Sequence, residues 1–147
     1  MQINHTNMAS RKRRGTGFTL IELLVVLAIL TMLAGLVGPR VLSQLGGAKS
    51  KTAAVQIADL EKSLELFKLD VGRFPTTAEG LDSLVNRPAS ANGWNGPYLK
   101  GGVPNAPWGK PYVFTSPTAN GGVEIVSLGG DGLPGGEGEN ADIRNKP

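Results

Sequence analysis

FTLIELLVVLAILTMLAGLVG, residues 18–38, carries one charge, Glu22, in an otherwise apolar run. At ~1.5 Å per residue, a helix of this length is about 30 Å long, the thickness of a bilayer's hydrocarbon core. The basic cluster Arg11, Lys12, Arg13 and Arg14 stands just before it. Such a cluster stays on the cytoplasmic side and directs the following chain outward. A secretory signal peptide fits poorly, because its apolar region runs ~7–15 residues and ends in a small-residue cleavage site. A plain membrane anchor is the simpler alternative.

Glu22 argues against the plain anchor. A carboxylate near the centre of a membrane helix costs ~2.5–3.5 kcal/mol on insertion scales, and less near an end, so an intramembrane acid points to function. No Lys, Arg or His lies between Phe18 and Arg40 to pair with it. Cutting the chain between Gly17 and Phe18 would create a cation, the new α-amino group of Phe18. That amine on one subunit could meet Glu22 of its neighbour in a dry interface. Gly17-Phe18-Thr19-Leu20-Ile21-Glu22, behind a basic leader and ahead of an apolar run, resembles the prepilin processing motif of type IV pilins and type II secretion pseudopilins. The resemblance implies that a prepilin peptidase cuts after Gly17 and that Phe18 is then N-methylated. It also places Pro39 at the position where that class carries a proline. Met8 is an alternative start to Met1.

Removing residues 1–17 changes the charge reading. The whole chain has 15 basic and 12 acidic residues and a formal charge of +3. Four of the basic residues, but none of the acidic ones, lie in the leader, so the remainder carries a side-chain charge of −1. The basic balance belongs to targeting and is no nucleic-acid footprint. The leader also holds the only histidine, His5, and the chain has no cysteine. Nucleophilic catalysis of the Ser-His or Cys-His kind is therefore excluded, as are disulfides and thiolate metal sites. Gly130-x-Gly132-x-x-Gly135 matches a dinucleotide-binding pattern only by letter, because no βαβ unit surrounds it. The chain does not read as an enzyme.

Beyond Pro39 the pattern becomes amphipathic. Ala53, Ile57, Leu60, Leu64, Phe67 and Val71 recur at steps of three and four, one face of a helix, while Asp59, Glu61, Lys62, Glu65 and Lys68 fall largely off it. Gly35, Gly38, Pro39, Gly46 and Gly47 interrupt this long helix and predict a kink or locally melted stretch near residues 35–47. Most of the 21 glycines and 10 prolines come after residue 70, so the second half should be loop-rich with short elements. A short helical run to Val85, a loop over 92–98 and two β-like runs, 112–115 and 123–128, follow. Asn120-Gly121-Gly122 between the β-like runs is a hairpin signal.

The predicted fold is thus α+β: a long N-terminal helix, hydrophobic then amphipathic, packed on a small antiparallel β-sheet with a loop-rich C-terminus. Its parts are a removable leader, 1–17, a transmembrane and assembly helix, 18–38, and an external domain, 39–147, whose helix runs to about residue 71. Residues 68–77 (KLDVGRFPTT), 79–81 (EGL), 107–112 (PWGKPY) and 127–132 (SLGGDG) together resemble the major pseudopilins of the type II secretion system. Ala106 stands where that family usually has Asp, and the tail after Ile143 lacks the family's common Trp.

GGDGLPGGEGENAD, residues 129–142, brings four carboxylates, Asp131, Glu137, Glu139 and Asp142, into a glycine-rich loop. Read from chemistry alone, it is either a solvated acidic loop or an oxygen site for a hard cation; Ca²⁺ takes six to eight oxygens at ~2.3–2.6 Å. The EF-hand pattern fails, because Leu133 and Gly135 occupy ligand positions. The family resemblance implies a structural Ca²⁺ held by the Leu128 carbonyl, Asp131, the Leu133 carbonyl and Asp142, with Asn140 or Glu139 completing the shell.

The resemblance further implies a homopolymeric pseudopilus whose growth exports folded proteins across the outer membrane. Its partners would be minor pseudopilins, an inner-membrane assembly platform and the prepilin peptidase. The chain would sit first in the inner membrane, N-terminus cytoplasmic, and then in a periplasmic filament. A type IV pilin of a surface filament is the alternative, although such pilins often carry a C-terminal disulfide loop that this chain cannot form. A monomeric membrane-anchored binding domain is the rival from another class.

Overall fold

The computed structural model describes residues 17–145. The leader with its basic cluster, His5 and both candidate start sites lies outside the described residues. By internal contacts the chain divides into two units that meet at Gly38/Pro39.

One helix, α1, runs from Leu20 to Val71. Its start is capped: Thr19 Oγ1 accepts the Glu22 N–H at 3.3 Å and the Thr19 carbonyl accepts Leu23 N–H at 3.2 Å. This Thr-x-x-Glu arrangement satisfies donors that an unfinished first turn would leave bare. As far as Gly38 the helix has a fully exposed apolar surface, including Leu24, Leu27, Leu30 and Leu33. It is also the one helix among the described residues long and apolar enough to cross a membrane.

The melted stretch expected near residues 35–47 is not found, since helix continues through it with Pro39 inside. A mid-helix proline costs ~3 kcal/mol. That loss is local, and propagation on both sides continues at one hydrogen bond per residue. Gly46 turns out to be a contact point. It is buried, and a Cβ built on it would lie 3.1 Å from Glu139 Cβ.

Within the second unit, the predicted stripe is the buried face. Ala53, Ile57, Leu60, Leu64 and Phe67 are each at most 2% exposed. Ile57, Leu60, Leu64 and Phe67 meet Leu81, Leu84, Ala91, Ala106, Tyr112, Phe114 and Ile125 in one core. Each buried Leu, Ile or Phe side chain among them contributes ~1.5–3 kcal/mol. Ala106 fills a core position at 4% exposure. Trp94 donates its indole N–H to the Ser83 carbonyl at 2.8 Å and stands edge-on to Tyr98. The helical run before Val85 is a 3-10 helix, Leu81–Leu84.

The sheet has three antiparallel strands in the order β1 (Val113–Thr115), β2 (Glu124–Ser127) and β3 (Ile143–Arg144). Phe114 faces Ile125, and Val126 faces both Val113 and Arg144. The third strand is absent from the sequence expectation because two residues carry no alternation to detect. As the central strand, β2 has Ile125, Val126 and Ser127 all buried. Asn145 fastens β3: its Oδ1 accepts Ile125 N–H at 2.8 Å, and its amide donates to Glu61 on α1 at 3.2 Å.

The chain leaves α1 through a braced turn. Arg73 binds both oxygens of Glu79, at 2.7 and 2.8 Å, and Glu79 also accepts Ser90 Oγ–H at 2.6 Å and Thr76 N–H at 2.8 Å. Arg73 above all, helped by Ser90 and Thr76, holds the Glu79 carboxyl well below the usual carboxylate range despite its burial. A carboxylate whose folded pKa is depressed adds stability above its unfolded value of about 4.3, and that stability fades as pH falls below it. Glu79→Gln should therefore lower stability at neutral pH by ~1–3 kcal/mol. Thermal melts between about pH 7 and pH 3 should show a shallower acid loss in the variant than in the wild type.

Candidate functional site

Two regions carry the residues singled out from the sequence, one in each unit. At the start of the first, Gly17 and Phe18 lie ahead of α1, outside regular structure and exposed. The bond between them is thus exposed and outside regular structure. Glu22 occupies the first turn of the helix. A carboxylate there is favoured by the positive end of the helix dipole. Among the described residues Glu22 forms no ion pair.

In the second unit, the loop from Leu128 to Asp142 folds back on itself. The Leu128 carbonyl accepts Gly132 N–H at 3.0 Å, and the Glu139 carbonyl accepts Gly130 N–H at 2.9 Å. Asp131 Oδ1 accepts Leu133 N–H at 3.0 Å, a local turn that directs its carboxylate along the loop. Asp142 Oδ2 accepts Gly135 N–H at 3.1 Å and Arg144 Nη2–H at 3.0 Å. Its other oxygen, Oδ1, is buried with no hydrogen-bond partner. An unsatisfied buried carboxylate oxygen costs the desolvation of that group unless something fills the place, and a cation would.

Glu139 does something else. Its carboxylate accepts Trp108 Nε1–H at 2.9 Å and reaches Lys49 Nζ at 3.5 Å, and its side chain lies over Gly46. It clasps the loop to α1, which leaves Asn140 as the better of the two residues named for completing a cation shell. Asn140 Oδ1 is 3.0 Å from where a Cβ on Gly130 would stand. No group of three or more acidic side chains able to hold a metal occurs among the described residues. A cation here would therefore depend on carbonyls together with Asp131 and Asp142. The clasp has no local signal in the sequence, where Gly46 reads as a helix breaker.

The type II secretion system protein G family model matches residues 40–146, and the prokaryotic N-terminal methylation motif matches residues 12–38. The chain belongs to the type II secretion system protein G family. It is 41% identical over 139 residues to the type II secretion system core protein G of Vibrio cholerae serotype O1, covering 92% of this chain and 94% of the relative. With that of Aeromonas hydrophila it shares 43% over 129 residues, 85% of this chain and 90% of the relative. The crystal structure of the major pseudopilin from the type 2 secretion system of enterohaemorrhagic Escherichia coli superposes with a TM-score of 0.60 at 29% identity. That match covers 71% of this chain and 91% of the other. The predicted α+β architecture is the pseudopilin fold, and the chain is a structural subunit of the type II secretion pseudopilus. The two matched regions meet where the contact units do, beside Pro39.

The loop's glycines separate two costs. Gly129 and Gly135 both have positive φ, +61° and +94°. A Cβ on Gly129 would lie 2.5 Å from the Asn140 backbone, whereas one on Gly135 meets nothing within 4 Å. Gly135→Ala should cost only the left-handed strain of ~1–2 kcal/mol. Gly129→Ala should cost ~1–3 kcal/mol more, from overpacking against fixed backbone. Denaturant melts of the two variants would check the order.

Proposed function

We propose that the chain is made as an inner-membrane precursor, cut between Gly17 and Phe18 and N-methylated on Phe18. It then polymerises through α1 into a periplasmic filament that drives folded proteins across the outer membrane. The observation that carries this reading is the pairing of an exposed Gly17–Phe18 bond with a Glu22 that has no cation among the described residues. Cleavage supplies the missing cation, and burial between helices strengthens a charge pair that water would weaken. The protein's role is structural. The partners are further copies of itself, minor pseudopilins, the assembly platform of the inner membrane and the prepilin peptidase.

Two measurements test it. Mass spectrometry of the mature protein should find an N-methylated Phe18 as first residue, and an intact leader in cells with active peptidase would overturn the processing step. Glu22→Ala should leave the protein in the membrane and abolish filaments. Filaments of normal length from that variant would instead favour a monomeric anchored domain.

The acidic loop is proposed as a structural Ca²⁺ site. The Leu128 and Leu133 carbonyls, Asp131 and Asp142 would hold the ion, with Asn140 nearer to hand than Glu139. Support comes from the bare, buried Asp142 Oδ1 and from the hard oxygen donors that the same loop carries. Bound Ca²⁺ would supply charge neutralisation and fix a loop too rich in glycine to order itself. Asp131→Ala, or chelation of the wild type, should lower the melting temperature. Identical melting curves with and without Ca²⁺ would sink the assignment.

A further inference from the structure

The loop already holds two cations of its own. Lys110 Nζ donates to the Gly130 carbonyl at 3.1 Å, and a Cβ on Gly132 would come within 2.5 Å of that nitrogen. The loop backbone therefore closes around the amine. Arg144 reaches Asp142 Oδ2 with one arm and Glu124 Oε1 with the other, at 3.0 and 2.8 Å. Neither residue belongs to the loop. Arg144 stands on β3 and pairs across the sheet to β2. Lys110 closes the turn whose carbonyl accepts Ala106 N–H at 2.8 Å, just ahead of β1. Both charges are thus mounted on the framework and pointed at a loop whose only regular element is a 3-10 turn at Gly138–Asn140.

We propose that Lys110 and Arg144 are positioning residues for cation uptake: they hold the loop's oxygens when no metal is bound, and they limit how strongly a divalent cation is taken up. This rests on the calcium reading of the loop. Arg144 and Gly135 N–H saturate one oxygen of Asp142, so that Asp142 offers a cation only Oδ1, a single oxygen fixed in direction. A bidentate carboxylate, common in Ca²⁺ sites, is denied to it. Lys110 places a positive charge on the Gly130 carbonyl, next in sequence to Asp131, and like charges oppose one another more strongly away from water. The loop trades metal affinity for order in the metal-free state.

Full-length protein in detergent micelles, as wild type, Lys110→Met, Arg144→Gln and Arg144→Lys, would be melted in chelator and in saturating CaCl₂. Calcium affinity would be measured by titration calorimetry. In chelator, Lys110→Met and Arg144→Gln should melt below the wild type. Their rise on adding Ca²⁺ should exceed the wild type's, with a Kd tighter by about tenfold, since a ligand stabilises in proportion to the logarithm of its concentration over Kd. Arg144→Lys, which keeps the charge and loses the fork, should fall between Arg144→Gln and the wild type. A merely structural role would lower both curves equally and leave the Ca²⁺ increment unchanged, which overturns the proposal, as does weaker calcium binding in the variants. If the wild type itself ignores Ca²⁺, the calcium reading falls and takes this proposal with it. Should Arg144→Gln fail to fold, Lys110→Met decides, because Met keeps the aliphatic stem and removes only the charge.

Discussion

Everything in the second unit depends on one stripe of α1 being covered. Ile57, Leu60, Leu64 and Phe67 are withdrawn from water by a set of short loops and a three-stranded sheet too small to stand alone. Strands of two to four residues present little apolar face of their own, and packing against a helix makes up for it. The helix in turn supplies what the glycine-rich half lacks, a straight apolar surface that costs little entropy to present. Polar fastenings at Asn145, Glu79 and Glu139 then fix which loop lies where. Earlier along the same helix, residues 20–38 carry an apolar surface broken by one charge, Glu22, which suits lipid or other copies.

The periodic parts of this fold were legible in advance. The α1 stripe repeats over five turns, and the strands at 113–115 and 124–127 sit on either side of an Asn-Gly-Gly turn. What escaped reading was non-periodic. Strand β3 is two residues long and is recognisable only by what it pairs with. The burial of Ser127 follows from its place on a central strand. Gly46 looked like a breaker because propensity is a local quantity, while its use, letting Glu139 lie flat on the helix, depends on a residue ninety-three positions further along.

The site was legible to different depths. Gly17, Phe18 and Glu22 stand out because a lone acid in an apolar run demands an explanation, and the Thr19 cap was visible as Thr-x-x-Glu in the same segment. For the acidic loop, sequence could nominate oxygens but could not say which were already spoken for. Glu139 is bound to Trp108 and Lys49, and half of Asp142 is bound to Arg144. The Glu139 partners stand thirty-one and ninety positions away, where no local pattern encodes them, and Arg144, only two residues from Asp142, is aimed by its place on β3.

The brevity of the sheet has a consequence for how copies meet. Strand β1 has three residues, with Pro111 shortly before it and Pro117 soon after, and β3 has two. Neither edge offers a row of unpaired N–H and C=O groups long enough to template another chain. Subunits crowded along a filament therefore have little means of zipping together laterally through their backbones. Contact is steered to side chains and helix surfaces, where register can be specified and, when the filament is taken down, released.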